Sequence, residues 1–128
     1  MIHAPRRNRA AKNCAWIDKY CTVPAGLDRG RRVRLTPAQR DVMRRIYDGN
    51  EIVEVTPPLS AYLVLLHLCG PEAVLRGEAD FSFRNEKSFK ADVFTTWSSA
   101  GPDLKEVLTL HGEHIVCPEL GTRFPAAA

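Results

Sequence analysis

Two stretches of this 128-residue chain place chemically capable side chains at spacings that matter. The first is "LDRGRRVR", residues 27–34, where Arg29, Arg31, Arg32 and Arg34 could neutralise the phosphates of a nucleic acid. The second is "VTPPLSAYLVLLHLCGPEA", residues 55–73, which reads as the end of a strand running into an apolar helix closed by glycine. Strand-to-helix joints of this kind are where many nucleotide-binding proteins keep a glycine-rich phosphate loop. In such a loop successive backbone N–H groups wrap the phosphates, a lysine reaches the β and γ groups, and a Ser or Thr hydroxyl binds magnesium. Here the joint is Thr56-Pro57-Pro58-Leu59-Ser60. Its prolines lack N–H donors, it has no glycine, and no lysine lies between Lys19 and Lys87, which leaves Ser60 alone to stand for the hydroxyl.

Other reactive side chains are less well arranged. His111, Glu113, His114 and Glu119 could suggest a metal site, but no two of them form an i, i+4 pair of ligands on a helix, and surface polarity explains them. His67 sits among leucines and reads as a helical histidine satisfied by its neighbours. Ser98-Ser99 lacks a nucleophile-elbow pattern. Cys14, Cys21, Cys69 and Cys117 are scattered, without a C-x-x-C pair or zinc spacing, and read as reduced core thiols. Trp16, Trp97, Phe81, Phe83 and Phe89 form no strip for stacking single strands and are most simply core.

The elements that must hold these residues follow from periodicity and caps. A helix is expected over 8–20, with Ala10, Cys14, Ile17 and Cys21 on one face, stopped by "VPAG". In "LTPAQRDVMRRIYDG" Thr36 caps a helix, Pro37 fits its first position, Gln39 completes a capping box, and Val42, Met43 and Ile46 supply the apolar face. Residues 51–56 alternate Ile52, Val53 and Val55 with acids and read as a strand; residues 58–69 read as a buried helix. A weak strand at 79–83, helices at 85–97 and 102–108, and short strands at 114–117 and 122–124 complete the order. No repeat is visible, and the fold class expected is α/β, N-terminal helices followed by short strands and helices.

Length and composition allow one domain with a real core. The net charge of +3 hides an asymmetry: residues 1–45 carry twelve Lys and Arg against three acids, and residues 46–128 carry six against twelve. The basic third, with Arg6, Arg7, Arg9 and Lys12 beside the arginine loop, could touch phosphates, or could simply be solvated and answer the acidic remainder. The division expected is a basic helix and loop over 1–34 and an α/β unit over 35–128. The longest apolar run, residues 59–69, is about half of what a bilayer needs, and no apolar segment or cleavage site follows the basic N-terminus. A cytoplasmic protein without membrane contact is expected.

Three blocks in order carry a resemblance. "NCAWIDKYCTVPAGLDRGRRVRLTPAQRDVMRRIYDG" resembles the opening of the large subunit of tailed-bacteriophage terminases, through Trp-Ile-x-x-x-Cys, Val-Pro-x-Gly, a basic Gly-Arg loop and Leu-Thr-Pro-x-Gln. "LVLLHLCGPEAV" resembles the helix after the phosphate loop in that family, and "GPDLKEVLTLHGEHIVCPELGTRF" a later stretch. The resemblance implies a P-loop NTPase-like domain, incomplete here, of a motor that packages viral DNA using ATP and magnesium in the cytoplasm of a bacterial host. It implies that Gln39, with Arg34 nearby, sits where related motors contact adenine, although the capping box alone explains Gln39. It also implies that the Walker A loop between strand and helix is missing, and that the Walker B acids and nuclease carboxylates lie beyond residue 128. The chain is therefore expected to be a truncated, degenerate prophage remnant without catalysis. It is expected to bind no cofactor, and to contact double-stranded DNA weakly through Arg29, Arg31, Arg32 and Arg34, or a small terminase subunit or portal. The alternative is a small module that reuses the scaffold to bind nucleic acid or a phage protein.

Overall fold

The computed structural model describes residues 9–24, 26–73, 86–112, 114–120 and 122–125. Helix α1 (Arg9–Tyr20) buries Ala10, Asn13, Cys14 and Ile17 along one stripe. Helix α2 (Pro37–Tyr47) starts as its residues dictate. The Thr36 hydroxyl accepts from the Gln39 N–H, the Gln39 side chain accepts from the Thr36 N–H, and Pro37 needs no partner in the first turn. Helix α3 (Leu59–Cys69) buries Leu59, Ala61, Tyr62, Leu63, Val64, Leu65, Leu66 and Leu68, so it has no polar face and must lie inside. It touches α1, helix α4 (Glu86–Ser98), and two strands of the sheet that follows. Helix α5 (Pro102–Val107) leads into that sheet.

The sheet is an antiparallel meander of β1 (Thr109–His111), β2 (His114–Cys117) and β3 (Thr122–Pro125), in the order β1-β2-β3. Its register pairs Leu110 with Ile115, Ile115 with Phe124, and Cys117 with Thr122. Alternation then turns Ile115, Cys117, Thr122 and Phe124 inward against α3 and leaves Arg123 outside. The Thr122 hydroxyl donates to the Leu68 carbonyl at 2.5 Å, fastening β3 to the last turn of α3.

The mixed composition, with helices first, is the one expected; the strand at 51–56 is not there. That stretch pairs with no strand among the described residues, and Ile52 is fully exposed. Alternating apolar residues permit a strand, but a ladder requires a neighbour that offers its edge. The helix predicted over 85–97 is found at Glu86–Ser98, the one over 102–108 ends at Val107, and β1 was not foreseen. The strand expected at 79–83 lies outside the described residues. No described helix is long and apolar enough to cross a membrane.

A candidate nucleic-acid interface and a closed phosphate site

The arginine loop is closed as a hairpin by backbone bonds. Val23 N–H donates to the Arg31 carbonyl at 2.8 Å, Gly30 N–H to Val23 at 2.9 Å and Val33 N–H to Cys21 at 3.1 Å, around an antiparallel bridge between Thr22 and Arg32. Gly26 and Gly30 hold φ of 88° and 87°, a conformation that side chains with a Cβ resist, so glycine is what lets the chain reverse here. The base is rooted in the core through Cys21, Val33 and Leu35, all buried. The Thr22 hydroxyl donates to the Ser99 carbonyl at 2.7 Å and ties the base to the end of α4. Asp18 accepts from the Leu35 N–H at 3.2 Å and pairs with Arg40, joining α1, the hairpin's exit and α2.

This anchoring sorts the basic residues. Arg9 pairs with Glu72, Arg40 with Asp18, Arg44 with Asp41 and Arg45 with Glu51. Arg31 stands 3.7 Å from Asp28, with both side chains largely in water. Arg29, Arg32 and Arg34 are exposed and have no ion pair among the described residues. Three of the four arginines singled out in the sequence therefore face solvent with no acid paired to them among the described residues. Arg9, grouped in the sequence with phosphate contacts, is engaged by Glu72 and the Tyr47 ring instead. Gln39 is half-buried with its amide oxygen spent on the Thr36 N–H at 2.8 Å, and no hydrogen bond joins it to Arg34.

At the other site of interest, the joint before α3, the backbone donors that a phosphate would need are missing or engaged. The Pro57–Pro58 bond is cis, and neither ring nitrogen can donate. The first amides of α3 are already engaged: Ser60 N–H on Thr56 at 3.2 Å, Ala61 and Tyr62 N–H on Pro58 at 3.1 and 3.2 Å. The Ser60 hydroxyl is buried without a partner. The residues at this joint do not fit a nucleotide phosphate.

A polar node that no local pattern announces lies where α1, α2 and the residues after α3 meet. Glu72 accepts from Arg9 Nε at 2.8 Å and from Asn13 Nδ2 at 3.0 Å, across 63 and 59 residues of sequence. The Tyr47 hydroxyl and His67 Nε2 lie 2.8 Å apart, the Arg9 guanidinium stacks over the Tyr47 ring, and the Ala10 N–H donates to Asp48. Hydrogen bonding from Arg9 holds the Glu72 carboxyl below the ordinary carboxylate range against its partial burial, and burial lowers His67. The group ties α1, α2 and α3 together.

Nor do the remaining candidates assemble. His111 and His114 pair across the β1–β2 turn, and no cluster of three metal-ligating side chains occurs among the described residues. A cavity of about 480 Å³ between α1 and α5 is lined by Trp16, Tyr20, Cys69, Asp103 and Leu104 among others. Burial pushes the Cys69 thiol up to about 12, so it is a protonated wall and not a nucleophile.

No family model matches this chain. The terminase large subunit of Enterobacteria phage HK97 is 34% identical over 76 residues, which cover 52% of this chain and 15% of that protein. The crystal structure of the HK97 bacteriophage large terminase aligns with a TM-score of 0.68 at 24% identity, covering 94% of this chain and 27% of that one. The chain thus spans only about a quarter of the length of the HK97 protein it matches. In sequence over its matched half, and in fold over nearly all its length, the chain is similar to the HK97 terminase large subunit.

Proposed function

We propose that this chain is a phage DNA-packaging type module that has kept the DNA-contacting capacity of a terminase large subunit without its ATPase or nuclease chemistry. The observation that carries the reading is the rooted hairpin bearing Arg29, Arg32 and Arg34, exposed and without an ion pair among the described residues. An excess of uncompensated guanidinium on a fixed scaffold is a phosphate-binding surface, sequence-blind because phosphates are alike along any duplex. The partner is double-stranded DNA in the cytoplasm of a bacterial host, with a small terminase subunit or portal as the protein it would meet there. The proline joint supports the absence of ATP turnover, because its amides are committed and it offers no lysine.

Binding of a 20-base-pair duplex, followed by fluorescence anisotropy, tests the first half. With four to five phosphates engaged, log K should fall against log salt with a slope of roughly −4. Replacing Arg29, Arg31, Arg32 and Arg34 by Ser should flatten that slope by most of its value and leave the fold intact, since these side chains are exposed. An unchanged slope would sink the reading. Calorimetry with ATP and magnesium tests the second half, where no micromolar binding is expected. Each lost charge-assisted contact is worth roughly 1.5–3 kcal/mol, so several together remove orders of magnitude in affinity.

A further inference from the structure

Phosphate neutralisation leaves one residue of the hairpin without a role. Leu27 stands at its tip, fully exposed, where a turn ordinarily carries Gly, Asn, Asp, Ser or Pro. A lone exposed leucine means nothing by itself. Its setting is what distinguishes it. The tip is held by the Arg29 N–H on the Gly26 carbonyl at 3.2 Å and the Arg31 N–H on the Asp28 carbonyl at 3.0 Å, so the backbone that carries the leucine is braced on both sides of it. Asp28, its acidic neighbour, is answered by Arg31. Arg29 lies two residues from the leucine at the tip, and Arg32 and Arg34 lie toward the hairpin's base, all three exposed and without an ion pair among the described residues. Ile52 is just as exposed, but the charged residues nearest it in sequence are acids, Glu51 paired with Arg45 and Glu54 two positions on, and they supply no cation. Only at the hairpin do an apolar tip and uncompensated cations coincide among these exposed residues.

Resting on the reading of the hairpin as a DNA contact, we infer that it enters a groove of the duplex and that Leu27 acts as an apolar wedge between neighbouring base pairs, while Arg29, Arg32 and Arg34 grip the flanking phosphates. Proteins that bind the minor groove divide labour in this way, with cations on the backbone and a Leu, Ile, Phe, Met or Pro side chain partly unstacking one step. An aliphatic group has no donor or acceptor with which to read base edges. Its preference is therefore for steps that unstack cheaply, the pyrimidine–purine steps, above all TA.

The test uses a 20-base-pair duplex with 2-aminopurine at a central TA step, titrated with the full chain at low salt. The wild type should raise the 2-aminopurine fluorescence. Leu27→Ala should abolish that rise and bind roughly five- to tenfold more weakly with the salt slope unchanged, and Leu27→Met should restore most of both. Far-UV circular dichroism should be identical for all three, because the side chain touches no core residue. A Leu27→Ala variant with wild-type affinity and fluorescence would overturn the wedge while leaving the arginine contact standing. So would a loss of binding to phosphatidylserine vesicles with duplex binding unaffected, which would assign the leucine to a membrane surface. A wild type that fails to bind duplex at all would overturn both the wedge and the proposed function.

Discussion

Leu65→Ala is expected to destabilise the protein by about 3–4 kcal/mol, measured as a fall in the urea midpoint at constant m and in Tm by roughly 10 °C. Leu65 has no exposed surface and lies at the middle of α3, the helix against which α1, α4 and the sheet are all packed. Removing its side chain opens a cavity that no single neighbour can close, because the elements around it are fixed to one another. Thr122 is bonded to Leu68, and Trp97 Nε1 donates to the Leu108 carbonyl at 3.0 Å. A domain of this size has only about 5–15 kcal/mol in hand, so this one truncation removes a large share of it. A loss below about 1.5 kcal/mol would mean that α3 is not central.

Glu72→Ala should cost about 2–3 kcal/mol near neutral pH, and the same carboxylate should shape the acid limb of stability. Without Glu72, Asn13 loses the acceptor for its Nδ2 while its Oδ1 is already buried and unpartnered, and Arg9 is left over the Tyr47 ring without its counter-charge. Because Arg9 depresses the folded-state value of Glu72, its contribution is complete above the ordinary carboxylate value of 4.5 and is lost as pH falls below it. His67, lowered by burial, acts earlier in the same direction: below its ordinary value of 6.5 the unfolded chain takes up a proton that the folded chain refuses. Stability should therefore decline in two stages on acidification, first below about pH 6.5 and again below about pH 4.5. Glu72→Gln should remove the second stage and keep the first. A second stage that survives in Glu72→Gln would place the acid-sensitive carboxylate elsewhere.

How much of this was legible in the sequence depends on how local each cause is. The caps of α2 lie within four residues, and Thr36, Pro37 and Gln39 announce it without help from the rest of the chain. The apolar stripe of α1 and the polar-free α3 are equally local. The strand expected at 51–56 failed because pairing is a property of two segments, and the same reason hid β1. Thr109, Leu110 and His111 carry no alternation long enough to notice, and they become a strand only because β2 lies alongside. For the candidate interface, the arginines were visible but the hairpin was not, since the register of Val23 with Arg31 is set by the burial of Cys21 and Val33 in a core that the sequence does not display. The Glu72 node was invisible for the plainest reason: its two longest ties span about half the chain.

The proline joint has a consequence for what substitution could ever achieve there. A phosphate cradle is made of backbone, several consecutive amides bent around an anion, and the chain between Val55 and Leu59 is too short to supply them once Pro58 begins the turns of α3. Changing Pro57 and Pro58 to glycine and Ser60 to threonine would return donors and a hydroxyl, yet the Ser60, Ala61 and Tyr62 amides would still be committed to Thr56 and Pro58 carbonyls that the helix needs. Only inserted residues would lengthen the path. Point mutation at this joint therefore cannot by itself bend consecutive amides around an anion there; the length of the backbone, more than the identity of its side chains, is what the joint fixes.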